Sequence, residues 1–582
     1  MSDDSTETEA EAFPRLDASQ LSALERSPLT SIRHHHDGDR LFEAGDREDR
    51  FHLVRSGEVA IVDTAGVEPR TIAVLGPGEF TGDETKLTGG PSIVAGVAQG
   101  DCEVIEVPLD ALREILNIRP DIGDLMLRAF MARREWIAES GEKLGPRVIG
   151  PGRLPETFRV REFLARNRFP HTWIDSDDHS GITAAFGRLG ITDGDLPFVA
   201  WGRRLLLRCP TNRELADALG LRKTADRDLY DLAIVGAGPA GLAAAVYGAS
   251  EGLQTIVLER TAPGGQASRS ARIDNYLGFP TGISGAELTE RAVVQANRFG
   301  ARLPVATEVV HLSFEGDLSI LRLDDGERIS ARSVLIATGA DYRLLNLNGC
   351  DRFEGCGVYY AATPIEARMC RDGDVVVVGG GNSAGQAAVY LAALVRKVHL
   401  VIRGHDIAEE MSDYLVRRIR ETKGVEIHTE TEVRSMCGDE ILGSVELAHT
   451  RTGQVSRIQT PAVFSFIGAV PRTDWLPSEI ARDERGFIRT GAALSSSFRT
   501  MYGREPFPLE TSRAGVFAAG DVREGSIRRV ASAVGEGAMA IQFVHGFLET
   551  LDSEPKHHDR HEHHRESDHQ NDAGIPGHTM ET

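Results

Sequence analysis

Two stretches of this 582-residue chain have the residue types and spacing to hold a phosphate-bearing ligand. The first, YDLAIVGAGPAGLAAAVYGAS, runs from an apolar strand through Gly-x-Gly-x-x-Gly into a helix. Gly236 permits the tight turn, Gly238 lets the backbone approach a pyrophosphate, and Gly241 lets the helix close on the strand. Pro239 and Ala240 open that helix, whose free N–H groups and partial positive charge face the phosphates. Eighteen residues after Gly241 the strand TIVLER ends in Glu259, a carboxylate placed to accept hydrogen bonds from a ribose diol. The second stretch, GDVVVVGGGNSAGQAAVYLA, repeats the logic with Gly379, Gly381 and Ala384, and with Asn382 and Ser383 at the helix start. Its next strand, KVHLVIRG, ends on Ile402 and Arg403 without an acid. A carboxylate there repels a 2′-phosphate and a guanidinium pairs with it, so the pattern tilts towards NADPH while leaving NADH open.

Sulfur chemistry is the other candidate. The six cysteines, at 102, 209, 350, 356, 370 and 437, include no Cys-x-x-Cys pair. Cys350 and Cys356 lie six apart in NGCDRFEGCG, close enough in sequence to form a loop disulfide if their Cα atoms come within about 7 Å. Scattered thiols of this kind more often fill small apolar spaces.

Three further tracts, GGQASRSARIDNYLGFP, VLIATGA and GVFAAGDV followed by IRRVASAVGEGAMA, flank the two dinucleotide patterns in order, and the second pattern is set inside the first. In this arrangement the chain resembles a thioredoxin reductase. The resemblance implies FAD at the first site. Gly265, Gln266 and Asn275 would lie near the isoalloxazine and ribityl chain, and Thr338 and Gly339 would approach the flavin from the sheet. Asp521 would bond the ribityl or pyrophosphate, with Arg528, Arg529 and Val530 along the pyrimidine edge. It also implies a homodimer and a dithiol in a tract of the form GVxYCATC. Here the tract reads GVYYAATP, so Ala361 and Pro364 stand where the family has cysteine. Disulfide exchange needs sulfur as both attacking and leaving group, which neither residue supplies.

These sites need elements to position them. The length predicts several domains. Residues 1–15 and the His-rich tail 552–582 read as disordered. Between 16 and 145, alternating runs such as FHLVRSGEVAIVD and TIAVLGPGEF predict a small β-roll followed by helices. LVRSGEVAI and GPGEFTGD resemble a cyclic-nucleotide-binding domain. An ungapped match from Phe80 puts Asp83 at the family's ribose-binding Glu and Ile93 at its phosphate-binding Arg. Residues 150–222 read helix, strand, hairpin, helix and resemble a thioredoxin or glutaredoxin fold, with Pro197 at the cis-proline and no cysteine before the first helix. The FAD-binding domain is expected over 226–343 and 470–550, and the NAD(P)H-binding domain over 344–469. The fold class is therefore multidomain: β-roll, small α/β unit, and a two-domain reductase with Rossmann-type sheets.

A net charge of −22 argues against a nucleic-acid partner. No apolar run is long enough to span a membrane, and the acidic N-terminus lacks signal-peptide character, which predicts a cytoplasmic location. The expected function is NAD(P)H-to-FAD electron transfer to an external acceptor, either a thioredoxin-, ferredoxin- or flavodoxin-like protein or a small molecule, with the N-terminal domain either a degenerate sensor open to a nucleotide effector or a dimerisation module. In lacking the dithiol, the chain resembles the cysteine-free thioredoxin-reductase-like ferredoxin–NADP reductases. Two alternatives stay open: a thioredoxin-disulfide reductase using unconventional cysteines, and a non-catalytic redox or nucleotide sensor.

Overall fold

The computed structural model describes residues 10–553, apart from 29, 47–49, 65–68, 84–89, 140–143, 179–185, 187–189, 202–204, 223–224, 348–349, 371 and 440. The His-rich tail from 554 onward, and residues 1–9, lie outside the described residues.

The first dinucleotide pattern sits in a sheet ordered 255–258, 230–235, 328–336, 318–323, 309–315, with 516–518 also paired to 328–336. The strands Thr255–Leu258, Tyr230–Val235, Arg328–Ile336 and Val516–Ala518 run parallel, and the meander 309–336 is antiparallel. Parallel strands buried on both faces read as continuous apolar runs, and LAIV is such a run. Leu232 and Ile234 face the helices 239–250 and 530–553, while Ala233 and Val235 face a second core with Leu476, Ile480 and Ile488. Period-two alternation divides one strand between two cores.

The second pattern lies in an all-parallel sheet ordered 358–359, 462–465, 374–378, 397–401, 425–428. Val375 and Val377 pack under the helices 382–392 and 413–421. Val376 and Val378 pack under the three-stranded meander 431–459. A short antiparallel pair, Ala340–Tyr342 with Ala469–Pro471, joins the two dinucleotide units.

At the N-terminal end, strands Arg50–Asp63 and Ala95–Pro108 form the centre of the β-roll, followed by helices Leu109–Ile118 and Pro120–Glu139. Pro120 divides the two helices, because proline ends one helix and is well placed to start the next. Residues 10–15, expected to be disordered, are instead packed. Ala12 is fully buried, and Phe13 meets Trp136 edge-on at 5.4 Å. Arg133 donates to the Ala12 carbonyl at 2.7 Å. The short segment is held by tertiary contacts that its acidic composition does not advertise.

The 147–218 unit has sheet order 172–174, 147–149, 198–201, 205–208, the first pair parallel and the others antiparallel, with helices 155–166 and 212–218. The Leu196–Pro197 peptide is cis. The order of strands and helices and the cis-proline at Pro197 follow the order read from the sequence for this unit. No helix among the described residues is long and apolar enough to cross a membrane.

Candidate functional site: two dinucleotide clefts and a blank redox tract

At the first cleft, Gly236 has φ +102°, and a Cβ there would lie 2.5 Å from the Ala337 carbonyl. A Cβ on Gly241 would lie 1.9 Å from the Gly236 carbonyl. A Cβ on Gly238 would meet nothing within 4 Å. Gly238 is also the N-cap of helix Pro239–Ser250, with no side chain capping it. Two glycines are thus required by the protein's own backbone, while the third faces open space beside uncapped helical N–H groups. That is a fit for a pyrophosphate.

Neighbouring segments close round this point. Gly264 donates to the Ala237 carbonyl at 2.7 Å, and a Cβ on Gly265 would lie 3.2 Å from the Gly238 Cα. Gln266 donates to the Ala340 carbonyl. Thr338 donates to the Arg472 carbonyl at 3.0 Å, and Gly339 has φ +63°. Glu259 accepts from the amides of Ala237 at 2.9 Å, Thr261 at 2.8 Å and Ala262 at 3.2 Å, so it also fixes the glycine turn. Burial pushes the Asp521 carboxyl up, opposed by Arg528. Arg528 and Arg529 are exposed and Val530 begins the long C-terminal helix. Asn275 is exposed on its turn.

Sequence reasoning missed the frame around Asp521. Glu536 accepts from the Gly520 amide at 2.6 Å and pairs with Arg523 through both carboxylate oxygens. It missed Tyr342 too, which donates to Ser383 at 3.3 Å and packs edge-on against Phe466. Asp521 is one of the charges acting on the Tyr342 hydroxyl, so this ring stands between the two clefts. Its position three residues after Gly339 was the one available signal.

At the second cleft, Gly379 has φ +139° and Gly381, again an uncapped N-cap, faces nothing within 4 Å. Ala384 is fully buried. Asn382 accepts from the Ser412 amide at 2.8 Å, holding the facing loop. Arg403 is 81% exposed, and its guanidinium lies 3.3 Å from Glu432. That acid, on the neighbouring meander, carried no sequence signal.

The tract 357–370 holds a helix cap in place of a dithiol. Pro364 starts the helix Pro364–Met369, Thr363 caps it, and Glu366 completes a capping box. Glu366 is 1% exposed and burial pushes its carboxyl up. Ala361 is buried. None of the six cysteines forms a disulfide. Cys350 belongs to the core on one face of the nicotinamide-side sheet and Cys370 to the core on the other. Burial raises the Cys356 thiol and pushes Cys370 up to about 12, which disfavours the reactive thiolate.

The 147–218 unit lies against this tract. Phe158 packs on Tyr359 at 5.6 Å between ring centres, and a Cβ on Gly355 would lie 3.5 Å from Phe158 and 3.6 Å from Pro155. Within that unit Pro197 sits beside Gly150, at the start of the same helix. A cavity of about 480 Å³ opens alongside, bordered by Arg166, Arg168, Arg269, Thr289, Pro364 and Tyr390.

In the N-terminal domain Ile93 is 6% exposed and joins the apolar core of the 147–218 unit. The β-roll cavity, bordered by Phe13, Asp83, Arg133 and Trp136, measures about 70 Å³. Ligand pockets usually run to about 300–1,000 Å³.

Comparison with known proteins agrees with this architecture. Residues 230–537 match the pyridine nucleotide-disulphide oxidoreductase family, and residues 32–119 match the cyclic nucleotide-binding domain. The thioredoxin reductase of Peptoclostridium acidaminophilum is 34% identical over 328 residues, covering 55% of this chain and 98% of its own. That of Treponema pallidum is 35% identical over 323 residues, with 55% and 98% covered. Among solved structures, Lactococcus lactis thioredoxin reductase in its FR conformation superposes with a TM-score of 0.50 at 29% identity, covering 55% of this chain and all of that one. The thioredoxin reductase of T. acidophilum superposes with a TM-score of 0.50 at 28% identity, covering 56% of this chain and all of that one. The chain belongs to the pyridine nucleotide-disulphide oxidoreductase family. Within it, this is an FAD-dependent NAD(P)H oxidoreductase resembling the thioredoxin reductases, with a cyclic nucleotide-binding domain at its N-terminal end.

Proposed function

We propose that this reductase delivers electrons from NAD(P)H to an acceptor outside the chain and does not reduce thioredoxin through an internal dithiol. The observation that carries this reading is the state of residues 361–364: a capped helix start in which Ala361 and Ala362 are buried, with the chain's own 147–218 unit packed on neighbouring Tyr359 through Phe158. Bound FAD supplies the hydride-accepting and electron-passing chemistry. The chain's part is to hold its pyrophosphate at Gly238 and Pro239–Gly241, to fix the glycine turn through Glu259, and to keep Gly265, Gln266, Thr338 and Gly339 close to that turn. Asp521, framed by Arg523 and Glu536, closes the far side. A small-molecule acceptor suits the neighbouring cavity of about 480 Å³.

The test is anaerobic reduction by NADPH or NADH followed by an acceptor screen. Each NAD(P)H yields two electrons and a proton, reducing two ferricyanides, and no cysteine takes part. Replacing Cys350, Cys356 and Cys370 by alanine should therefore leave ferricyanide turnover within about twofold, since alanine suits buried positions. Oxidised thioredoxin should not reoxidise the reduced enzyme. Rapid reoxidation by thioredoxin that is lost in the triple variant would overturn the proposal.

Arg403 is proposed to read the coenzyme's 2′-phosphate, in competition with Glu432. Because Arg403 is largely exposed, Arg403→Ala should raise the KM for NADPH by roughly 3–10-fold and leave that for NADH unchanged. Glu432→Gln should act oppositely, by freeing the guanidinium. Equal responses to both coenzymes in steady-state kinetics would exclude the role.

For the N-terminal domain we propose a packing module that takes no intact cyclic nucleotide. Ile93 lacks the charge for a phosphodiester, and the cavity of about 70 Å³ is too small. Cyclic AMP and cyclic GMP at millimolar concentration should leave the unfolding temperature unchanged.

A further inference from the structure

The nicotinamide-side sheet carries a set of side chains unrelated to the dinucleotide cleft. Three adjacent parallel strands pair Val376 with His399 and His399 with Glu426, and Val401 with His428. In a parallel ladder, paired residues and residues two apart share a face. Asp374, His399, Glu426 and His428 therefore emerge on the same side. His399 Nδ1 lies 3.0 Å from His428 Nε2 and 3.9 Å from Glu426 Oε2, and His428 Nε2 lies 3.5 Å from Glu426 Oε1. Among the described residues this is the one group of three or more potential ligands whose donor atoms converge in this way.

Donors at about 2.0–2.1 Å from a tetrahedral zinc ion lie about 3.3–3.4 Å from each other. The imidazole–imidazole separation is slightly shorter than that edge, and each imidazole reaches a different oxygen of the Glu426 carboxylate at slightly more than it. A second observation is independent of the spacing. His399 is 7% exposed, and its other nitrogen, Nε2, is buried without a hydrogen-bond partner, facing Asp374 Oδ2 at 3.6 Å. Metal-bound histidines characteristically present their second N–H to a carboxylate, which fixes the tautomer and leaves the other nitrogen free to coordinate. Burial lowers both histidines' proton affinity, keeping the imidazoles neutral as coordination requires.

We propose that His399, His428 and Glu426 form a binding site for a divalent cation of the zinc class, with Asp374 orienting His399 and a water in the fourth position. Two imidazoles and one carboxylate match the preferences of zinc and its cobalt substitute. Lys397 now pairs with Glu426 and is the group the cation displaces. Bound metal would clip strand 397–401 to strand 425–428, just before Arg403. The Ile402 amide already donates to the His428 carbonyl at 3.0 Å across that joint.

The experiment uses the full chain with the seven tail histidines (His557, His558, His561, His563, His564, His569 and His578) replaced by serine, so that the tail contributes no binding. Cobalt(II) is titrated in and its visible absorption followed, then zinc is used to displace it. The expected result is one cobalt per chain with the intense bands of a tetrahedral site, lost in His428→Ala and in His399→Ala. Asp374→Asn should weaken binding by about 10–100-fold without abolishing it. Flavin content, unchanged in each variant, reports that the protein is folded. Because His428 is partly exposed, its variant folds even if His399→Ala does not. No stoichiometric cobalt binding, octahedral-type spectra only, or binding that survives His428→Ala would overturn the site.

Discussion

Gly238→Val should give a folded but colourless protein. A Cβ at this position meets no protein atom within 4 Å, so the side chain starts in open space. It projects into the space before the uncapped N-terminus of helix 239–250, where the pyrophosphate would lie. Flavin content should fall below a tenth of an equivalent, as read by absorbance of the purified protein, while far-UV circular dichroism is retained. Gly241→Val provides the contrast. Its Cβ would fall 1.9 Å from the Gly236 carbonyl, so that variant should misfold before it reaches a flavin. A yellow Gly238→Val protein would move the phosphate site away from this turn.

The largest expected stability effect lies farther off, at Glu510. This carboxylate is fully buried and accepts from Arg504 through two bonds of 2.7 Å, from the Phe507 amide at 2.9 Å and from the Gly515 amide at 3.0 Å. It holds the loop that delivers strand 516–518, and hence Gly520 and Asp521, to the first cleft. Glu510→Ala removes four accepted bonds and leaves a guanidinium in a half-buried site unpaired, a loss of about 3–5 kcal/mol. The flavin domain should unfold about 6–20 °C lower in a thermal scan followed by flavin fluorescence. A shift under about 2 °C would mean that water or another side chain replaces the carboxylate.

Both cleft turns were legible in the sequence because each glycine answers a local backbone demand, and such demands leave a fixed spacing. The element order of the 147–218 unit was legible for a similar reason: strand, helix and hairpin signals are local, and Pro197 punctuates them. What the sequence did not carry was the partner of each element. Glu432 opposite Arg403, Tyr342 between the clefts and Phe158 on Tyr359 are contacts between segments far apart in the chain, with no periodicity to betray them. Residues 10–15 were misjudged as disordered on composition, since Phe13 and Ala12 gain their meaning only once Trp136 and Arg133 stand opposite.

The packing of Phe158 on Tyr359 has a consequence for competition. A unit tethered to the surface it covers acts at an effective concentration on the order of millimolar for a short linker. A free thioredoxin-fold protein approaching the 357–370 tract must displace a resident neighbour that never diffuses away. Carriers at ordinary micromolar levels would lose that contest about a thousandfold at equal intrinsic affinity. Selectivity among electron acceptors would thus be set by covalent linkage along the chain, and shortening or cutting the linker, with no change to any contact residue, would be enough to alter it.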